Sequence, residues 1–393
     1  MNAKPDTIPL IETTRELDLF CSSVSGDSFV TVDTEFLRET TYYPKLCLIQ
    51  IAGANTAALV DPLAAGLNLG SFFSLMANKN VIKVFHAARQ DIEIILRLAD
   101  LVPAPLFDTQ IAAMVCGFGD QIGYEAIVRK LVGAQIDKSS QFTDWSRRPL
   151  THKQLAYALS DVTHLRTVYE KLLVQIESEN RLSWLTEDLA ELSDPGSFRV
   201  DPTESWRRIK ARIQSKKQQA VLMTVAAWRE REAQAKDVPR GRILKDDAVG
   251  EIAIQVPTSR EALQQLRLLP RGSADSSIGK GILAAVTEAL ALDPADIPSP
   301  KSRSDELTSA QEAVAEILKL VLKIVSESEG IAPKLLANTG DIEAIAIADN
   351  ANVNAMHGWR HDVFGKVALD VKHGTSVIGM DKGRAAIMRR TPT

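Results

Sequence analysis

Four short apolar runs constrain this chain more than any other feature: residues 29–36 (FVTVDTEF), 46–52 (LCLIQIA), 57–60 (AALV) and 81–86 (VIKVFH). They are rich in β-branched and aromatic side chains. Turn formers bound them, among them Gly26, Asp27, the pair Tyr43-Pro44 and the pair Asp61-Pro62. Runs of this length and composition read as strands. Residues 91–98 then take helical spacing, and from about residue 108 the pattern is almost wholly helical. Strands joined by short turns and followed by helices predict a mixed α/β sheet. Asp108 precedes the apolar-periodic Ile111, Met114 and Val115, and fits an N-cap. THKQ at 151–154 has the spacing of a capping box and predicts a long helix through Val174.

Two breaks divide the remainder: SDPGS at 193–197 and PSPKSRSD at 298–305. The second has no large apolar residue to bury and reads as a linker. A chain of 393 residues has room for two or three domains of about 100–200 residues each. The expected boundaries are 1–195, 203–295 and 305–393. The last block reads as helical from Leu307 to about Leu369, then as a polar tail ending in RRTPT. Hydrophobic residues make up 45% of the chain, which excludes a disordered chain. The three cysteines, Cys21, Cys47 and Cys116, show no zinc spacing and suit a reducing compartment. The first twenty residues lack the apolar core of a signal peptide. No apolar run approaches the roughly 18–20 residues of a membrane span. A cytoplasmic protein with no membrane segment is expected, as a monomer. The net charge of −4 leaves nucleic-acid binding to local basic patches.

The fragment Val32-Asp33-Thr34-Glu35-Phe36 carries the chemistry. Residues two apart on a strand share a face, so Asp33 and Glu35 project together. Paired carboxylates in a half-buried place repel each other unless a divalent cation lies between them. For an isolated D-x-E, a solvated strand end is the plainer reading. Asp91 follows the strand at 81–86 and sits where a strand-to-helix junction delivers a side chain to the sheet end; a dipole-stabilised first-turn acid is the plainer alternative. Tyr157 and Asp161 are four apart in the long helix and share a face, for a metal or for a structural hydrogen bond.

Together, Asp33, Glu35, Asp91, Tyr157 and Asp161 resemble the DEDD exonuclease superfamily in its tyrosine-bearing form. The segments VDTEFLRETTYYPKLCLIQIA, HAARQDIEII, FDTQIAAMVCGFG, GYEAIVRKLVG and DWSRRPLTHKQLAYALSDVTHL narrow the likeness to the ribonuclease D family, over roughly residues 8–180. The resemblance implies a ribonuclease H-like α/β exonuclease domain. It implies release of nucleoside 5′-monophosphates from RNA 3′ ends, with tRNA precursors as partners and two divalent metal ions, Mg²⁺ or Mn²⁺, as cofactors. By the family pattern, Asp33 would bridge both ions, Glu35 and Asp161 would hold the one that activates water, and Asp91 would support the other. Tyr157 would orient the attacking water. Weaker candidates for substrate contact are Phe36, His86, Trp145, Arg147 and Arg148.

The segment 206–217 (WRRIKARIQSKK) carries six basic residues and no acid: Arg207, Arg208, Lys210, Arg212, Lys216 and Lys217. It reads as a phosphate-contacting stripe or as a solvated helix face. Trp228, Arg229, Pro239, Arg240 and Asp246 fit the pattern of the HRDC domain, so Trp228, Arg229 and Arg240 join the candidates for gripping RNA. The family resemblance implies two all-α HRDC-type domains, the second divergent. A 3′-to-5′ DNA exonuclease and an inactive RNA-binding scaffold are the rival readings. A helicase is excluded, because no G-x-x-x-x-G-K-[ST] loop is present.

Overall fold

The computed structural model describes residues 8–300 and 307–390. The first residues of the chain, most of the expected linker at 298–305 and the last of the polar tail lie outside them. The chain forms two compact units. One holds residues up to Glu35, Leu46–Ser197 and Leu307 onward; the other holds Phe36–Lys45 and Phe198–Glu306.

The first unit opens with β1 (Leu10–Ile11), α1 (Thr14–Val24), β2 (Phe29–Leu37), β3 (Lys45–Ala52) and β4 (Ala57–Val60). There follow α2 (Gly70–Ala77), β5 (Ile82–Phe85), α3 (Arg89–Ala99), β6 (Leu106–Asp108), α4 (Thr109–Val115) and α5 (Tyr124–Leu131). Then come the long α6 (His152–Ser178) and α7 (Leu182–Ser193). The strands build one sheet in the order β1-β4-β3-β2-β5-β6. β3 and β4 run antiparallel, while β2 pairs in parallel with β5, and β5 with β6. The sheet is therefore mixed, as the strand runs predicted, and β2 lies inside it. Both expected caps form. Asp108 accepts from the amides of Gln110 and Ile111, and Thr151 with Gln154 closes a capping box on α6.

The pleat decides which side chains meet α6. Phe29 stacks its ring 4.5 Å from that of Tyr169 on α6, and the Thr31 hydroxyl donates to the Val162 carbonyl at 2.8 Å. Phe29, Thr31, Asp33 and Glu35 alternate on one face of β2. That face is the one α6 covers.

The second unit holds α8 (Lys216–Lys236), α9 (Arg240–Ile243), α10 (Asp246–Gln255), α11 (Arg260–Gln264) and α12 (Ser277–Ala291). Its core gathers Val221, Val225, Ile252, Ile282 and Val286. The 36–45 segment belongs here because the Tyr42 and Tyr43 amides donate to the Asp237 carboxylate and the Tyr42 hydroxyl donates to Glu230.

From residue 307 the chain returns to the first unit with α13 (Ser309–Glu329), α14 (Pro333–Leu336), α15 (Thr339–Ile347), α16 (Gly358–Arg360) and α17 (Lys366–Lys372). These helices share one core with α4, α6 and α7, joining Val115, Leu172 and Leu185 to Leu318, Val325 and Phe364. The expected polar tail instead folds into a hairpin, β7 (Ser376–Asp381) and β8 (Arg384–Arg389). Lys382 and Gly383 both take positive φ, 47° and 80°, as a two-residue turn matched to strand twist requires. Ile378 and Ile387 are cross-strand partners and pack on the core. Among the described residues, no helix is long and apolar enough to cross a membrane.

Candidate active site

β2 and α6 bring three acids together. One carboxylate oxygen from each of Asp33, Glu35 and Asp161 lies within 4.8 Å of the others. Asp161 is 5% exposed, and its Oδ1 is buried without a hydrogen-bond partner. Burial pushes the Asp33 carboxyl up to about 6. Glu35 is pushed up to about 10, by burial first and then by the charges of Asp33, Asp161 and Asp91. Asp161 and Asp91 are also raised well above the usual carboxylate range, by burial and then by Asp33. The donors are all hard oxygens. Such a set fits a divalent metal ion.

Asp91 stands apart from this trio. It is buried in the first turn of α3, and it accepts a hydrogen bond from the Thr34 hydroxyl. Thr34 escaped the sequence reading. It sits between the two acids on β2, so the alternation turns it off their face, and its hydroxyl reaches Asp91. The signal was a hydroxyl in an otherwise apolar, buried register.

Tyr157 lies one helical turn before Asp161, and burial together with the charges of Asp161, Glu35 and Asp33 pushes its hydroxyl pKa up. A phenol so held stays protonated at neutral pH. It can orient a water but is not a base.

Three of the weaker candidates are displaced. Trp145 is 2% exposed and stands 6.2 Å from the Tyr157 ring, so it is a wall behind the tyrosine and not a platform for RNA bases. Arg148 is spent inside the protein. Its guanidinium clasps Asp61 through two 2.6 Å bonds and donates to the carbonyls of Cys47 and Trp145. His86 uses both ring nitrogens, Nδ1 with Thr109 at 2.9 Å and Nε2 with the Ile122 carbonyl at 3.1 Å. Arg147 is exposed beside Asp144, and Phe36 is half-buried next to Glu35.

In the second unit the basic segment is not one helix. A 3-10 turn at Pro202–Arg208 leads into non-helical chain, and α8 starts only at Lys216. Arg208, Lys210, Arg212 and Lys217 are exposed, Arg207 pairs with Glu204, and the Lys216 ammonium donates to the Pro294 carbonyl. Arg229 is buried and bonded to Asp246 at 2.6 Å and to the Leu244 carbonyl at 3.0 Å. It holds α8 to α10 and does not grip RNA. Trp228 lies against Gly281, where a Cβ would stand 2.5 Å from its ring. Arg240 is 3.8 Å from the buried Glu230.

A mixed sheet carrying D-x-E on an inner strand, closed by a helix that adds a tyrosine and a third acid, defines a 3′-5′ exonuclease. Residues 8–177 match the 3'-5' exonuclease family, and residues 218–286 match the HRDC domain. The chain is 48% identical over 97% of its length to ribonuclease D of Nitrobacter hamburgensis, covering all of that protein. It is 45% identical over 95% of its length to ribonuclease D of Granulibacter bethesdensis, covering 94% of it. The crystal structure of Escherichia coli RNase D superposes with a TM-score of 0.81 at 28% identity, over 94% of this chain and 99% of that one. The chain belongs to the ribonuclease D family. It is a hydrolytic 3′-5′ exoribonuclease, and its fold implies divalent metal ions.

Proposed function

We propose that this exoribonuclease trims extra 3′ nucleotides from tRNA precursors in the cytoplasm, acting as a monomer with two divalent cations, Mg²⁺ or Mn²⁺. The observation that carries the reading is the convergence of Asp33, Glu35 and Asp161 within 4.8 Å. These three would hold the metal, and Asp91, kept in place by Thr34, would complete the acidic set. Held there, divalent cations would supply Lewis-acid activation of the phosphodiester and of water at neutral pH. The chain's own residues do the rest. Tyr157 stays protonated and orients the attacking water against Asp161. Trp145 backs the tyrosine ring and limits its freedom. Phe36 follows Glu35 and would stack on a terminal base, a contact worth about 1–3 kcal/mol. Arg147 meets a phosphate.

The E. coli relative is described as an exoribonuclease involved in structured RNA processing. That description supports a structured RNA as the substrate here. Exposed Arg208, Lys210, Arg212 and Lys217 would then contact phosphates. We propose three sequence modules, at 1–195, 203–295 and 305–393, the last of which shares its core with the first. The decisive assay incubates the purified protein with a tRNA carrying extra 3′ nucleotides and with matched RNA and DNA oligonucleotides, with and without EDTA. Stepwise shortening of RNA from its 3′ end, stopped by EDTA, is expected. Internal cleavage, or hydrolysis indifferent to EDTA, overturns the reading.

A further inference from the structure

β3 is buried from Leu46 to Ala52, and Gln50 is the single amide side chain in that run. Gln50 is 0% exposed, yet neither its Oε1 nor its Nε2 has a hydrogen-bond partner among the described residues. Its face can be fixed from its neighbours. A Cβ on Gly53 would point at Val24 and Asp27, towards α1. Ala52 and Gln50 therefore point the other way, as alternation requires. The Thr31 hydroxyl that donates to Val162 of α6 also reaches the Ala52 carbonyl, at 3.3 Å. Gln50 thus lies on the strand beside β2 and, by this alternation, on the face that bears Asp33 and Glu35. Above that face, Asp161 Oδ1 and Trp145 Nε1 are buried without partners too.

An amide in such a place bears its desolvation cost without compensation, while a methionine of similar shape would bear none. The ligands of a metal site, in contrast, are commonly fixed by hydrogen bonds from a surrounding layer of polar groups. We propose that Gln50 is a positioning residue for the cation site, its amide hydrogen-bonding the ligating carboxylates and cation-held water once the site is loaded. This rests on the metal-dependent reading above.

The test is Gln50→Met in the full chain, with Mn²⁺ affinity measured by calorimetry and thermal unfolding measured in EDTA. The variant is expected to bind Mn²⁺ about tenfold more weakly. In EDTA it should unfold no earlier than the native chain, because it loses an unpaired amide. Native-like Mn²⁺ affinity, or a lowered unfolding temperature in EDTA, overturns the proposal and leaves Gln50 a packing residue. If Gln50→Met does not fold, Gln50→Leu is measured in the same two ways, and native-like Mn²⁺ affinity overturns the proposal. A native chain that binds no Mn²⁺ would instead sink the metal-dependent reading itself.

Discussion

At the scale of single residues, the acids conflict with one another until a cation joins them. Metal-free, the native protein binds more protons than the unfolded chain. Asp33 and Glu35 titrate near about 6 and about 10 in the fold, while an unfolded carboxylate titrates near about 4. Stability therefore falls as pH rises through this window. Thermal unfolding in EDTA should shift downward from about pH 5 to about pH 9, and Glu35→Gln should flatten the slope; parallel profiles would contradict the burial assigned to Glu35. Asp33→Asn should cut kcat by at least about 100–1000-fold, a loss of the size seen when one charge-stabilising group is removed, and should not destabilise the protein in EDTA. Tyr157→Phe should lower kcat about tenfold to a hundredfold with RNA affinity within about twofold, since it loses an orienting hydroxyl and no charge. Equal losses in binding and turnover would place Tyr157 in substrate grip instead.

At the scale of elements, α6 must present Tyr157 and Asp161 to β2 at one fixed height. Its start is fixed by the Thr151–Gln154 capping box, with the Gln154 amide donating to Thr143 in the preceding loop. That loop is in turn fastened to the sheet by Arg148, which reaches Asp61 and the Cys47 carbonyl. Asp61 is buried, so removing its partner strands a charge. Arg148→Met should destabilise the protein by about 3–5 kcal/mol in urea unfolding, more than any loss traceable to substrate contact. A neutral result would mean that the loop is held by Trp145 packing alone.

At the scale of the molecule, the segment from residue 307 is part of the unit that carries the acids. Trp184 of α7 and Trp359 of α16 stack at 4.4 Å and 9°, with Arg360 over the Trp359 ring and bonded to Glu187 and Asp188. Gly117 stands against the Gly330 carbonyl so closely that a Cβ would meet it at 2.4 Å. Removing residues 307–393 would bare the apolar faces of α4 and α7. The truncated chain should unfold at a clearly lower temperature and lose activity even on short oligonucleotides. An unchanged melting curve would show that the block is an independent appendage.

Much of this was legible in the residues themselves. Alternation put Asp33 and Glu35 on one face of a strand, helical spacing put Tyr157 beside Asp161, and Asp108 and Thr151 announced their helices. Those features are local, written within four residues of one another, and backbone geometry alone converts them to directions. The fates of Trp145, Arg148, Arg229 and Thr34 were not local. Arg148 finds Asp61 at a separation of 87 residues, and Thr34 finds Asp91 at 57. The pattern of a segment tells which side wants cover but is silent on what covers it. Only the tertiary structure decided that two arginines became internal ties, that a tryptophan backs a tyrosine, and that the last helices close the core of the first sheet.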